Sequence, residues 1–448
     1  MFGNKRYVTN IKGLQAINIL RFVTFLIISI VFTKIGLSKE EIGLFEVSLF
    51  IASAASFFWV NGFIQAFLSL FKSNKTFGKK ETLVGIKSPE VFNIYVILMV
   101  FSFVVFLIGI AIKGNFSVFG YKGDVPLLNA TLLYILLSSP ANLIEYIYMA
   151  QDKNGNTLSY GYITSALQLI VVIVPVSLGY SVIWSVWGLV MVATVKNIWL
   201  ITLLYNYAEI KFSFPFIKEV LAIAGPLIFT VFINQSAQYV DGIVVTTFYE
   251  ADGFAVFRYG SKELPFVLML TLGLHSAMLV EFNRKDKLKE TLQTIRKKSL
   301  RIMHSMYPLS IVLLLFAKPI FKGIFSPEFT RSADVFVIYL LAIVSRILFP
   351  HTIIIGLKKG KVLFWISCIE LFINIILSLL LVKPYGVVGV ALATVITYLI
   401  SKVILILYTN FVIGIKPAEY IPIKWYAFYS IMLGLVFVLL DRGIIVIP

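Results

Sequence analysis

The chain has 448 residues, of which 59% are hydrophobic and 14% charged, with a mean hydropathy of +0.93 and a net charge of +17. Average soluble domains carry about 25% charged residues, so this composition excludes a soluble globular protein. Stretches of about 20 apolar residues recur along the chain, and each is long enough to cross a bilayer as a helix. Continuous apolar runs favour helices over the strands of a closed barrel.

We therefore predict an all-α polytopic membrane protein. Its first apolar run follows the basic stretch MFGNKRYVTNIKG, which has no small-residue cleavage site and predicts a membrane helix rather than a removable signal peptide. Twelve spans are predicted, and one further apolar run follows them. They lie at 14–36, 42–71, 91–112, 126–150, 158–180, 184–207, 220–248, 254–280, 303–324, 335–356, 362–382 and 386–409, with the further run at 425–447.

The placement of the basic residues predicts the orientation. With the N-terminus in the cytoplasm, 24 of the 39 Lys and Arg lie in inner segments and 9 in outer segments or at the outer ends of the apolar runs. Cytoplasmic loops of membrane proteins carry such an excess of positive charge. The sequence thus predicts a multi-pass protein of the cytoplasmic membrane, and the charge placement argues against nucleic acid as its partner.

The strongest concentration of basic residues is the segment 284–300, RKDKLKETLQTIRKKSL. Leu288, Leu292 and Ile295 form an apolar stripe at i, i+4 and i+7 among its cations. Such a stripe is typical of a helix that lies on the anionic inner leaflet. A solvated loop that follows the charge rule is the alternative, and the sequence leaves both open.

The chain repeats itself weakly, which predicts two halves of similar structure. Three glycine pairs align in the same order at offsets of 210, 205 and 201 residues: Gly43 with Gly253, Gly155 with Gly360, and Gly188 with Gly389. The predicted parts are a six-helix bundle at 1–208, a cytoplasmic linker at 209–219, a second six-helix bundle at 220–410, and an additional C-terminal hydrophobic helix at 425–448. Six is even, so we expect a pseudo-two-fold axis along the membrane normal with a central cavity between the halves.

Polar residues interrupt several spans, most clearly at FINQSAQYVDG, residues 232–242. Asn234, Gln238 and Asp241 are spaced i, i+4 and i+7, which places them on one side of a helix. A charge at the bilayer centre costs about 2.5–3.5 kcal/mol, so such groups should meet water, a partner or a ligand. The predicted substrate-binding residues are Arg21, Asn18, Asn61, Gln65, Asn234, Gln238, Asp241, Arg258 and Lys262.

Two ion pairs are open hypotheses. Lys196 and Glu145 lie deep in their spans and would form a structural brace. Asp241 would pair with Arg258 or Lys262 as a gate with two alternative partners, or it would only anchor its helix near the outer headgroups.

The second half reads AKPIFKGIFSPEFTRSADVFVIYLLAIV, then GLKKGK and KPYGVVGVALATVITYLI, and the seventh span reads AGPLIFTVFINQSAQYVDGIVV. This order resembles the multidrug/oligosaccharidyl-lipid/polysaccharide exporter superfamily, and within it the bacterial polysaccharide flippases. The resemblance implies a V-shaped twelve-helix core that works by alternating access. It also implies that the substrate is an undecaprenyl-diphosphate-linked oligosaccharide repeat unit for O-antigen or capsule synthesis. Membrane lipids, a polysaccharide polymerase and a chain-length regulator are the partners that it suggests.

Two other transporters stay open as alternatives. In the lipid II flippases of the superfamily, cavity arginines occur on helices 1, 2 and 8, whereas here Arg21 and Arg258 stand on the first and eighth spans and the second span has none. A multidrug exporter would use Asp241 or Glu46 to bind a coupling ion, either H⁺ or Na⁺. Apart from Lys34, Lys318 and Lys322 at the outer span ends, cations outnumber acids 6 to 5 within the twelve spans, which favours an anionic cargo.

The sequence contains no motif that indicates an enzyme or a bound cofactor. It has no Gly-x-x-x-x-Gly-Lys-Ser/Thr loop for nucleotide phosphates. His275, His304 and His351 are scattered and lack the spacing of metal ligands. A glycan-handling membrane enzyme is disfavoured by the short outer loops, so we predict a transporter without cofactor.

Overall fold

The computed structural model describes residues 2–74, 87–113, 127–151, 153–262 and 288–444. Within these ranges the regular structure is almost entirely helical, as predicted. The chain begins with α1 (Phe2–Lys34), α2 (Lys39–Asn74), α3 (Pro89–Ala111), α4 (Leu128–Ala141), α5 (Leu143–Ala150), α6 (Asn154–Ser177), α7 (Ile183–Tyr207) and α8 (Phe214–Phe248). It continues with α9 (Ala251–Gly260), α10 (Leu288–Ile324), α11 (Thr330–Leu341), α12 (Ile343–Arg346), α13 (Pro350–Gly356), α14 (Gly360–Phe411), α15 (Pro417–Tyr420) and α16 (Ile423–Asp441).

The helices confirm a multi-pass membrane protein. Among the described residues, ten helices are long and apolar enough to cross a membrane, and a bent pair makes an eleventh. The bent pair, Pro327–Arg346 with Pro350–Gly356, turns by 45° and corresponds to the predicted tenth span. Pro350 lacks an N–H and cannot continue the preceding helix, which explains the break at this place.

α14 contains the predicted eleventh and twelfth spans as two arms. The backbone leaves the helix at Gly386, with φ 63° and ψ −146°, a conformation that is open essentially to glycine alone. Asn374 bonds to Thr394 and Glu370 to Ser401, so the two arms run antiparallel from this turn.

The predicted eighth span is described only in its first part. α9 ends at Gly260, and the description stops at Lys262. The rest of 254–280, with Glu263 and His275, lies outside the described residues.

Contacts divide the chain into two compact units. The first unit is Met1–Gln235 with Glu250–Asp252, and the second is Ser236–Tyr249 with Gly253–Pro448. The division falls inside α8. The boundaries drawn from the sequence, with a linker at 209–219, stay a prediction.

The basic segment at 284–300 is part of α10 from Leu288 onward, and its apolar stripe packs inside the second unit. Leu292 and Ile295 are 2% and 0% exposed and pack in one cluster with Phe349 and Tyr420. The sequence offered two alternatives for this segment, a helix on the leaflet and a solvated loop. Neither accounts for a stripe in which Leu292 and Ile295 pack against protein. The stripe is covered by protein because side chains that follow α12 and α15 offer it an apolar surface.

Two glycines of the sequence repeat lie close to the backbone of the helical segment before them, Gly188 beside α6 and Gly389 beside the first arm of α14. A Cβ at Gly188 would lie 2.5 Å from the carbonyl oxygen of Val171, and one at Gly389 would lie 2.0 Å from that of Leu381. Both obstacles are backbone atoms, which cannot move aside as a flexible side chain can. The two glycines therefore have the same packing role in the two units.

We expect Gly188→Ala and Gly389→Ala each to destabilise the protein by about 1–3 kcal/mol, the usual cost of overpacking. Gly155→Ala and Gly360→Ala are matched controls from the same repeat, because a Cβ there would meet nothing within 4 Å. Thermal midpoints of the four purified variants test this expectation. Equal midpoints for both pairs would contradict it.

Candidate functional site

An ion pair joins α1 to α5 in the first unit. The guanidinium of Arg21 donates to the carboxylate of Glu145, and the two side chains are 38% and 5% exposed. Glu145 owes its position to an interruption at Asn142, two residues after Pro140, which separates α4 from α5. The pair buries the carboxylate and leaves the cation partly open.

A second cation, Lys196 on α7, interacts electrostatically with both members of this pair. Arg21, Glu145 and Lys196, here called the Arg21 group, thus hold two positive charges and one negative charge. The predicted brace of Lys196 and Glu145 is only part of this arrangement, because the carboxylate bonds to Arg21. An excess positive charge in surroundings of low polarity attracts an anion, and a partly exposed arginine can bind one through two parallel hydrogen bonds.

The other predicted binding residues of the first unit differ in exposure. Asn18 on α1, Gln65 on α2 and Asn234 on α8 are exposed. Asn61 is half-buried and donates to the carbonyl oxygen of Phe57 in its own helix at 2.8 Å. Exposed amides require water or a polar ligand, because lipid offers no hydrogen bonds. Their contact with a substrate stays a prediction.

Asp241 lies in the second unit at the centre of a buried hydrogen-bond network and is 2% exposed. The hydroxyl of Tyr339 on α11 donates to its Oδ2 at 2.9 Å, and that of Thr394 on α14 donates to the same atom at 2.5 Å. The amide of Asn374 on α14 donates to Thr394 Oγ1 at 3.0 Å and lies 3.5 Å from Asp241 Oδ1. Ser378, one turn further along, lies close to the same carboxylate.

These five residues, here called the Asp241 network, offer oxygen atoms to a small cation. Oδ1 of Asn374 is buried and has no hydrogen-bond partner within the described ranges, and Oγ of Ser378 lies close to the carboxylate of Asp241. Carboxylate, amide and hydroxyl oxygens are the ligands that hard cations prefer. The described part of the chain contains no group of three or more His, Cys, Asp and Glu that could hold a metal ion.

The network separates Asp241 from the other polar residues of the seventh predicted span. Asn234 and Gln238 are exposed, whereas Asp241 is buried. All three project from one side of the helix, but seven residues place Asp241 about 10 Å further along the axis than Asn234. There α11 and α14 cover it. The prediction that these three residues form one exposed polar face is therefore wrong for Asp241, which is buried.

The predicted ion pair of Asp241 is not formed in the described structure. Its carboxylate is bonded by hydroxyl and amide groups, and no Lys or Arg of the described ranges lies against it. Arg258 and Lys262 are both half-buried, and the ammonium of Lys262 lies 4.4 Å from the ring centroid of Tyr259. The hydroxyl and amide donors already stabilise the carboxylate, so a cationic side chain is not needed there.

Sequence analysis identified single residues of these sites but missed most of their partners. Tyr339, Ser378 and Thr394 were not predicted, although the i, i+4 spacing of Asn374 and Ser378 on an apolar span was an available signal.

A second charged group also went unpredicted. Glu370 interacts electrostatically with Lys402 and Arg346, and it accepts a hydrogen bond from Ser401 at 2.5 Å. The guanidinium of Arg346 lies 5.2 Å from the ring centroid of Tyr398. In the sequence, these three charges lie on three different spans at similar distances from the inner ends. Their pairing could not be concluded from the sequence.

Comparison with known proteins identifies the relatives of the chain. The profile of the family "Lipid II flippase MurJ" matches residues 55–444. Comparison with curated protein sequences gave no match. A solved lipid II flippase MurJ in an inward closed conformation has a TM-score of 0.68 and 17% identity, covering 97% of this chain and 93% of its own.

Two transporters of the multidrug resistance MATE family are also similar in fold. One is an inward-facing member of the MOP superfamily, with a TM-score of 0.62, 15% identity, and coverage of 87% of this chain and 94% of its own. The other comes from Vibrio cholerae, with a TM-score of 0.57, 14% identity, and coverage of 93% and 98%. At these identities the structures establish the fold alone.

These findings confirm the predicted superfamily, whereas its polysaccharide-flippase branch receives no support from them. The profile match covers most of the chain and concerns a family of flippases for a lipid-linked substrate rather than of enzymes. The chain belongs to the lipid II flippase family MurJ.

Proposed function

We propose that this protein transports lipid II across the cytoplasmic membrane, with its N-terminus in the cytoplasm. The observation that carries the proposal is the match of the lipid II flippase family over residues 55–444. Lipid II joins an isoprenoid chain to its sugar headgroup through a diphosphate. The partly exposed guanidinium of Arg21, in a group with excess positive charge, suits such an anion.

The repeat-unit flippase expected from the sequence is the weaker alternative. The preference for a repeat-unit flippase over a lipid II flippase depended partly on the absence of arginine from the second span. In the first unit Lys196 supplies a second cation beside Arg21, so a diphosphate does not require an arginine on α2. The polymerase and chain-length regulator expected as partners of a repeat-unit flippase are not part of the lipid II proposal.

We propose in addition that a monovalent cation drives transport through the Asp241 network. The support is the buried carboxylate without a cationic side chain beside it in the described ranges, together with the unpaired Oδ1 of Asn374 and the nearby hydroxyl of Ser378. When bound, the cation would supply the positive charge that balances Asp241. The residues of the network would hold it and exclude water from it.

Transport in vesicles of defined composition tests the substrate. The purified protein is reconstituted with fluorescent lipid II or with an undecaprenyl-diphosphate-linked oligosaccharide, and an impermeant reagent measures how fast the headgroup crosses. We expect translocation of lipid II, and competition by unlabelled lipid II. Faster translocation of the oligosaccharide carrier would favour the repeat-unit alternative, and translocation of neither would contradict the flippase proposal.

Arg258 on α9 and Lys262 just after it are also expected to contribute to transport through their positive charges. We expect the double variant Arg258→Ala with Lys262→Ala to transport lipid II at least about tenfold more slowly, since even one lost charge-assisted contact contributes roughly 1.5–3 kcal/mol and each 1.4 kcal/mol is a factor of ten. Arg258→Lys should retain part of the activity, because the charge survives and the bidentate geometry does not. Normal transport by the double variant at wild-type abundance would remove both residues from the proposed site.

A further inference from the structure

The short linker between α7 and α8, taken together with Phe214 at the start of α8, exposes three large apolar side chains. Ile210, Phe212 and Phe214 are 84%, 58% and 78% exposed. The helices on both sides of the linker are long and apolar enough to cross a membrane, and they end at Tyr207 and begin at Phe214. The linker therefore lies at a membrane surface, where these side chains meet either water or lipid.

The start of the linker is hydrogen-bonded to the residue before α3. The N–H of Ser88 donates to the carbonyl oxygen of Tyr207 at 3.0 Å, and the N–H of Glu209 donates to that of Ser88 at 3.1 Å. The two segments thus form a short parallel bridge between Ser88 and Ala208.

The side chain of Asn93 on α3 forms hydrogen bonds with backbone groups at the end of the linker, and Asn93 is 0% exposed. Its amide donates to the carbonyl oxygen of Lys211 at 2.8 Å, and its Oδ1 accepts from the N–H of Ser213 at 3.1 Å. Water would satisfy these backbone groups in a solvated loop, whereas lipid cannot, so internal pairing is required only where water is scarce.

Charged side chains of both signs flank the apolar ones, because Glu209 and Glu219 are exposed near the cations. The ammonium of Lys87 lies 5.0 Å from the ring centroid of Tyr205, and Lys211 and Lys218 are exposed. Aromatic rings and cations are enriched at the boundary of membrane and water, where cations meet lipid phosphates. Exposed aromatic and apolar side chains between charged ones are typical of a segment that lies in a lipid headgroup layer.

We propose that residues 208–214 form an interfacial anchor, whose three apolar side chains insert among the headgroups and first acyl carbons of one leaflet. The partner is the lipid leaflet. Because Ser88 and Asn93 bond the linker to the α3 region, the anchor fixes this end of the first unit at a defined depth. The proposal is independent of the transported substrate.

Spin labelling tests the depth of the linker in the intact protein. The chain has a single cysteine, so Cys368→Ser provides a background for labels at Ile210→Cys, Phe212→Cys and Phe214→Cys. Power saturation in vesicles then compares relaxation by oxygen, which concentrates in lipid, with relaxation by a nickel chelate, which stays in water. Lys359→Cys, exposed in the turn before α14, is the control.

We expect oxygen to relax all three linker labels several-fold more strongly than the nickel chelate does, with the reverse order at position 359. Linker labels that behave like the control would overturn the proposal. Labels that neither reagent reaches would overturn it equally, because they would indicate that protein covers the linker.

Discussion

Replacing Arg21 with Gln is expected to lower lipid II translocation about 10- to 100-fold, because a charge-assisted hydrogen bond contributes roughly 1.5–3 kcal/mol and each 1.4 kcal/mol is a factor of ten. The side chain is 38% exposed, so it can reach an anion without unfolding of its surroundings. Initial rates in vesicles, normalised to the amount of folded protein, measure this effect.

The stability of the variant must be separated from its transport. Arg21→Gln leaves the buried carboxylate of Glu145 without its hydrogen-bonding partner, although Lys196 still interacts with it. Removing one member of a buried pair is costly, so we expect a lower thermal midpoint for Arg21→Gln alone. The double variant Arg21→Gln with Glu145→Gln should recover part of the midpoint, since neither member of the pair is then left alone, while Lys196 loses the nearby carboxylate.

The same two variants, together with Glu145→Gln alone, distinguish a binding role from a structural one. If Arg21 binds the diphosphate, the double variant stays defective in transport despite its partly recovered stability, and Glu145→Gln alone transports lipid II at least as well as the wild type. If the ion pair only holds α1 to α5, Glu145→Gln is as defective as Arg21→Gln, and the double variant transports normally. The second pattern would contradict the proposed role of Arg21.

The membrane spans were predictable because continuous apolar runs leave the backbone no alternative to helix in lipid. The pairing of charges was not. Arg21 and Glu145 are 124 residues apart, and Lys196 was an equally suitable partner for the carboxylate by depth alone. Only the folded arrangement, in which α1 packs against α6 and the short α5 precedes α6, decides between them.

The environment of Asp241 was unpredictable for a different reason. Helical periodicity correctly placed Asp241 on the same side of the helix as Asn234 and Gln238. It does not say which neighbouring helices cover that side at each position along the axis. The residues that cover Asp241, Tyr339 and Thr394, are 98 and 153 positions away in the chain. A stripe of apolar residues has the same limit, since Leu292 and Ile295 of α10 face protein where lipid was the expectation.

Replacing Asp241 with Asn is expected to abolish the response of the protein to its coupling cation. A ligand that binds the folded state raises its stability by about 2.7 kcal/mol at a concentration 100 times its dissociation constant. The wild-type thermal midpoint should therefore rise with added Na⁺ but not with choline, and that of Asp241→Asn should not change. Cation-driven transport should fall at least about tenfold, because the charge that balances the ion is lost.

Thr394→Val and Lys262→Gln are the matched variants for this site. Thr394→Val keeps the carboxylate but removes its 2.5 Å hydrogen bond, so the rise in midpoint should survive and need more Na⁺. Lys262 does not lie against Asp241 in the described structure, so the transport losses of Lys262→Gln and Asp241→Asn should be additive in free energy. A double variant no worse than Lys262→Gln would restore the ion-pair gate suggested by the sequence. A midpoint of Asp241→Asn that still rises with Na⁺ would show that the cation binds elsewhere.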